Sequence, residues 1–118
     1  MPKISSVAQI ELEYYRAEPN DSDIGPSERW MVAPDFTNEL RIAVYPDDDR
    51  PFKAEELKHL GRLQLEISGT ARAYEAFGRY LIALARLETS DPEVHDHFED
   101  IEFEPGGTVH LIVRRRPA

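Results

Sequence analysis

The stretch RLQLEISGTARAYEAFGRYLIALARLE, residues 62–88, decides the fold. In its first part Leu63, Leu65 and Ile67 fall on one face and Gln64, Glu66 and Ser68 on the other, the period of a strand with one side on a core. Gly69 and Thr70 break that pattern, and Thr70 is placed to cap a helix by accepting a backbone N–H through its hydroxyl. From Ala71 the period becomes helical. Tyr74, Phe77, Leu81 and Leu84 share one stripe, while Arg72, Arg79 and Arg86 recur every seven residues on a different face. A helix of roughly 18 residues would be about 27 Å long, and Pro92 in TSDPEV cannot continue it.

Working outward, HFEDIEFE and TVHLIVRRR read as two extended segments joined by Pro105-Gly106-Gly107, a turn whose glycines can take positive φ, so they are expected to pair antiparallel. Upstream, ELRIAVY sets Leu40, Ile42 and Val44 on one face and ends sharply at PDDDRP. FKAEELKHLG then predicts one or two helical turns with Gly61 as a stop. RWMVA predicts either a brief strand or a Trp30 plug at one end of the core. SVAQIELEYYRA alternates, with Ala8, Ile10, Leu12 and Tyr14 opposite Val7, Gln9 and Glu11, and predicts a first strand. AEPNDSDIGPSER collects turn formers and reads as a long loop. The expectation is a single domain over residues 1–118 of the α+β class: an antiparallel sheet of four to five strands with one long amphipathic helix packed on one face.

Composition narrows the functional classes. At 118 residues the chain can bury a core without disulfides. It has no cysteine, which excludes thiolate zinc sites and thiol catalysis and accords with a reducing, cytoplasmic setting. The longest mainly apolar run, AYEAFGRYLIALARL, holds Glu75, Arg79 and Arg86, and the first residues lack a signal-peptide core, so no membrane association is expected. Net charge is −9, with 13 acids against 7 bases in residues 1–60 and 10 against 7 afterwards. Such a balance repels nucleic-acid phosphates and steers basic partners inward.

The segment VHDHFEDIEFE, residues 94–104, is the natural place to look for chemistry. On a strand His95 and His97 point the same way, and His-x-His is a common source of two zinc ligands. A third ligand must converge from Glu99, Asp100, His110 or His59, since Asp96 points away from the pair. The spacing does not supply it, so no metal or cofactor is assigned and His95, His97 and His110 are candidates only on that condition. An acid/base pairing of these histidines with Asp96 or Asp100 ranks last, and nucleophile elbows, phosphate loops and HExxH are absent from the sequence. Asp21, Asp23 and Gly25 fail as a calcium loop, because glycine falls fifth and no glutamate stands twelfth. Arg114, Arg115 and Arg116 lack interleaved aromatics and do not make a nucleic-acid patch on so acidic a chain. No catalytic residue is assigned, and a non-enzymatic protein is expected.

The densest carboxylate patch is Asp47, Asp48 and Asp49 between two prolines, with Glu55 and Glu56 just beyond; Asp21 and Asp23 add charge in the first loop. These seven residues are the candidate partner-binding set. The second half of the chain resembles a family of small bacterial immunity proteins of polymorphic toxin systems. That resemblance rests on the strand ending Ile67-Ser68-Gly69, the helix with Leu81, Leu84 and Ala85, the His95-x-His97 pair, Pro105-Gly106, and the closing strand Leu111-Ile112-Val113. It covers about half the chain and implies a protein that binds and blocks a cognate toxin. An acidic inhibitor of a basic toxin would associate quickly through complementary fields. The alternative is a small metal- or ligand-binding accessory domain built on the His-x-His segment.

Overall fold

In the computed structural model, residues 1–16, 29–36, 38–46, 63–104 and 106–117 are described. Strands β1 (Tyr14–Arg16) and β2 (Arg29–Met31) pair antiparallel as a small sheet. The main sheet holds β3 (Leu40–Pro46), β4 (Leu63–Gly69), β5 (His95–Glu104) and β6 (Thr108–Arg114) in the order β4-β3-β5-β6. One helix, α1 (Ala71–Arg86), follows β4 directly. The fold is α+β with a mostly antiparallel sheet. The exception is the central pair, where β3 and β5 run parallel over Arg41↔Glu102, Ile42↔Phe103 and Ala43↔Glu104. Two antiparallel hairpins thus meet along a parallel seam: β4 runs against β3 and β5 runs with it, so the strands on either side of α1 in the chain point in opposite directions.

The helix starts where its sequence chemistry puts it. Thr70 has extended backbone angles, and its hydroxyl oxygen accepts from the Ala73 N–H at 3.1 Å. No acid stands in the first turn, and Arg72 there opposes the positive end of the helix. Glu39, 33 residues away, supplies the missing charge: it accepts from Arg72 Nε at 3.1 Å, from the Arg72 terminal nitrogen, and from the Thr70 hydroxyl at 3.2 Å. Gly69 permits this junction, because a Cβ there would sit 2.9 Å from the Glu39 carbonyl oxygen. At the other end the N–H of the C-cap Leu87 donates to the Leu84 carbonyl at 3.3 Å, and Arg115 donates to the carbonyls of Leu84 and Leu87 at 2.9 and 2.8 Å.

Leu40, Ile42 and Val44 of β3 face α1 together with Phe98, Ile101 and Phe103 of β5 and Val109, Leu111 and Val113 of β6. The helix meets them with Ala73, Tyr80, Ala83 and Leu84, and Phe36, Phe77, Tyr80 and Phe98 form an aromatic cluster with ring centroids 5.2–6.5 Å apart. The stripe expected from the sequence is therefore rotated: Phe77 and Leu84 belong to the core side, whereas Tyr74 and Leu81 are exposed. Ala73 and Ala83 let the helix approach closely, which a search for large apolar residues overlooks.

The expected strand over residues 6–17 forms only from Tyr14 to Arg16. Its ladder with β2 opposes Tyr14 to Met31, so continuing it would bring residue 11 opposite Pro34, which has no N–H to donate. Leu12, Tyr14 and Trp30 pack against the core, and the Tyr14 hydroxyl donates to the Ala83 carbonyl at 2.9 Å. The long loop expected from residue 17 and the helical turns expected over residues 52–61 lie outside the described residues.

Candidate functional site

The side of the main sheet opposite α1 carries the polar chemistry of the chain. Cross-strand pairing places Arg41 and Tyr45 of β3, Gln64, Glu66 and Ser68 of β4, and Glu102 and Glu104 of β5 on this face. The Arg41 guanidinium bonds Glu102 at 2.6 Å and lies 3.6 Å from Glu104. Its pKa is raised above the ordinary value, first by the Glu102 hydrogen bond and then by the surrounding carboxylates, Glu66 among them. Tyr45 donates to Glu66 at 3.1 Å. Three carboxylates around one guanidinium leave this half of the face negative.

A change of phase in β5 brings the histidines to the same face. His95 and His97 pair with Arg114 and Ile112, but past Phe98↔Leu111 the register shifts and resumes at Ile101↔Val109. Glu99 and Asp100 together oppose His110, a β-bulge. Phe98, before it, and Ile101, after it, consequently both reach the core, while odd-numbered His95 and His97 share the open face with even-numbered Glu102. An uninterrupted strand would put one set or the other inside.

On this face His97 Nδ1 lies 2.8 Å from His110 Nε2, so one ring donates and the other accepts. The His95 ring lies edge-on to His97 with centroids 5.0 Å apart, and its Nδ1 donates to the Glu93 carbonyl at 3.1 Å. The three imidazoles named by the sequence are thus gathered in one row. Asp96 is not with them: it pairs with Val113 on the core side, and its Oδ1 accepts from the His97 backbone N–H at 3.0 Å. Among the described residues no group of three or more His, Asp or Glu side chains is arranged to hold a metal ion. A depression of about 400 Å³ opens beside the bulge, bordered by Pro34, Phe36, Asn38, His97, Glu99 and Ile101.

Comparison with protein-family models, curated proteins and solved structures gives no match for this chain. The partner-binding candidates Asp21, Asp23, Asp47, Asp48, Asp49, Glu55 and Glu56 lie outside the described residues. The segment with the densest acids joins β3 to β4, leaving at Pro46 and returning at Leu63, two residues that pair with each other at one end of the negative half-face. Among the described residues no helix is long and apolar enough to cross a membrane.

Sequence reasoning missed the Glu66, Glu102 and Glu104 group and the arginine within it. Alternation puts Glu66 and Arg41 opposite the apolar sides of their strands but does not say what stands beside them. Bringing Glu102 beside Arg41 needs the parallel seam, for which no local signal exists.

Proposed function

We propose that this chain is a non-enzymatic protein of the immunity type, which binds a basic protein toxin and blocks it. The observation that carries the reading is the open sheet face on which Glu66, Glu102 and Glu104 surround the single guanidinium of Arg41, in a chain of net charge −9. An open sheet face of this kind suits a protein surface better than a small substrate, and its sign favours a cationic partner over nucleic acid or an anionic membrane. The acids Asp47, Asp48, Asp49, Glu55 and Glu56, together with Asp21 and Asp23, add further negative charge from the sequence and are the remaining candidate contacts. Inhibition of a toxin acting in the cytoplasm sets the place of action.

The test is to look for a basic toxin encoded beside this gene and to co-express the two, followed by purification of the complex. Growth is rescued and a stable complex isolated if the reading holds. Replacing Asp47, Asp48 and Asp49 by Ser, or Glu66 and Glu104 by Gln, lowers the association rate about tenfold or more at low salt. Failure to bind or protect against that toxin overturns the proposal, and unchanged protection in both variants removes the acidic surface as its basis.

A second reading is favoured by one observation. His95 Nδ1 donates to a backbone carbonyl, which is how a metal-ligating imidazole is usually held, and the His97 ring stands beside it. On that reading the row His95, His97, His110 binds a divalent transition metal, with further ligands from a partner or from water.

A further inference from the structure

The depression beside the β5 bulge has two kinds of lining. Its floor is apolar: Phe36 and Phe98, with ring centroids 5.4 Å apart, are joined there by Ile101, and all three are buried. Its rim is polar and exposed, with Asp35 and Asn38 contributed by the link between β2 and β3, and Glu99 by the bulge. Both walls are fixed by their own backbone. The Glu39 N–H donates to the Phe36 carbonyl at 2.7 Å and Asn38 takes a φ of +64°, so the chain turns tightly before it enters β3. Opposite, the register shift between Phe98 and Ile101 aims Glu99, and His97 is held at the edge by its bond to His110.

We propose that this hollow is an anchor pocket for one arginine side chain of a protein partner, an inference that rests on the reading of a basic partner given above. Charge points to a cation. Two carboxylates, Asp35 and Glu99, stand on the rim in a chain of net charge −9, and the negative half-face around Arg41 begins three residues beyond Glu99, at Glu102. An anion would meet both carboxylates, and a wholly apolar group would strip water from them without offering a donor. Volume points to a single side chain, because about 400 Å³ lies near the small end of ligand-sized hollows, roughly 300–1,000 Å³.

The floor separates arginine from lysine. A guanidinium is planar and weakly hydrated and stacks on aromatic rings, so it can leave water for a floor made of Phe36 and Phe98 while its methylenes meet Ile101. An ammonium holds its water more strongly and offers no plane to stack. The guanidinium's five donors, spread in one plane, can also reach acceptors on opposite sides of the hollow, Asp35 and the Asn38 amide oxygen on one and Glu99 on the other. The open sheet face next to the hollow leaves room for the rest of a partner, and an arginine seated in a preformed pocket is among the side chains that carry most of the energy of a protein interface.

Titration of the full chain with N-acetyl-arginine N-methylamide, followed by amide chemical shifts, tests the assignment, with the lysine and norleucine analogues as comparisons. Saturable shifts at millimolar probe are expected at Phe36, Asn38, Glu99 and Ile101, with binding about threefold weaker or more for the lysine analogue and no saturable shift for norleucine. Glu99→Gln and Asp35→Asn are each expected to weaken the arginine probe about two- to fivefold, the worth of one exposed charge pair, while the amide spectrum shows that both variants are folded. Absence of saturation, shifts centred elsewhere, equal binding of either comparison probe, or unchanged binding in either variant overturns the proposal. None of these readouts depends on a toxin. A chain that binds the probe but protects against no toxin keeps the pocket and loses the immunity reading, and a protective chain that ignores the probe loses the pocket alone.

Discussion

Replacing Tyr80 by Phe should stabilise this protein. The ring is 2% exposed, in contact with Phe98 at 5.2 Å and stacked on Phe77 at 6.5 Å, so its packing survives the change. The hydroxyl is buried and has no hydrogen-bond partner among the described residues. Asp96 is close enough to influence it, and one of its two carboxylate oxygens, Oδ1, accepts from the His97 N–H. A buried hydroxyl without a partner costs about 1–3 kcal/mol. Removing one oxygen forfeits a few dispersion contacts of about 0.1–0.2 kcal/mol each, so the net gain is about 1–2 kcal/mol, or roughly 3–6 °C in Tm for a chain of this size. Alkaline pH gives an independent readout. Burial first, and the Asp96 charge second, raise the phenol above its ordinary value of 10.0, so the folded state holds a proton that the unfolded state releases. Stability from this group is complete below pH 10 and is lost progressively above it; Tyr80→Phe removes that loss. Thermal melts between pH 7 and 11 measure both effects. A fall in Tm of more than a degree or two at pH 7, with an unchanged alkaline limb, would show that the hydroxyl has a partner and refute the reasoning.

Other substitutions probe the helix junction and the histidine row. Gly69→Ala places a methyl 2.9 Å from the Glu39 carbonyl oxygen and 3.2 Å from Leu40 Cδ1; a loss of about 1–3 kcal/mol in urea unfolding is expected, and an unchanged midpoint would mean the junction yields freely. The Arg72 hydrogen bond holds the Glu39 carboxyl below its ordinary value of 4.5, so its contribution is present above that pH and lost as pH falls through the lower folded value. Glu39→Gln should therefore flatten the acid limb of the Tm profile below pH 4.5, and parallel limbs in both proteins would count against the role assigned to this carboxylate. Zinc titration near neutral pH decides the second functional reading: binding that weakens at least tenfold in both His95→Ala and His97→Ala supports it, and no binding at 1 mM zinc ends it.

Much of the fold was legible because the period of the apolar residues is local. Alternation located β4 and β6, Thr70 marked the helix start, and Pro105-Gly106-Gly107 marked the turn, where Gly107 has φ +78°. Periodicity states which residues share a face, not whether anything covers it. Leu63, Leu65 and Ile67 therefore read as core although they are exposed, and the alternating run up to Leu12 reads as a strand although no partner among the described residues pairs with it. The histidine row was half legible. His95 and His97 share a face by spacing alone, but the bulge that sets His110 against them depends on how β5 pairs with β6. The acids highest in sequence density fall outside the described residues, whereas the carboxylates assembled around Arg41 come from strands far apart in the chain.

The seam between β3 and β5 has a kinetic meaning. Within each hairpin the paired residues are close in sequence, no farther apart than Leu40 and Gly69 in one and His95 and Arg114 in the other. Arg41 and Glu102, which meet across the seam, are separated by 61 residues. Loop-closure entropy makes that encounter the late and slow one. Each half can assemble from its own neighbourhood, and the rate of reaching the native state is then governed by how often two preformed ribbons find three matching rungs. The middle of this sheet is the last part of it to be made.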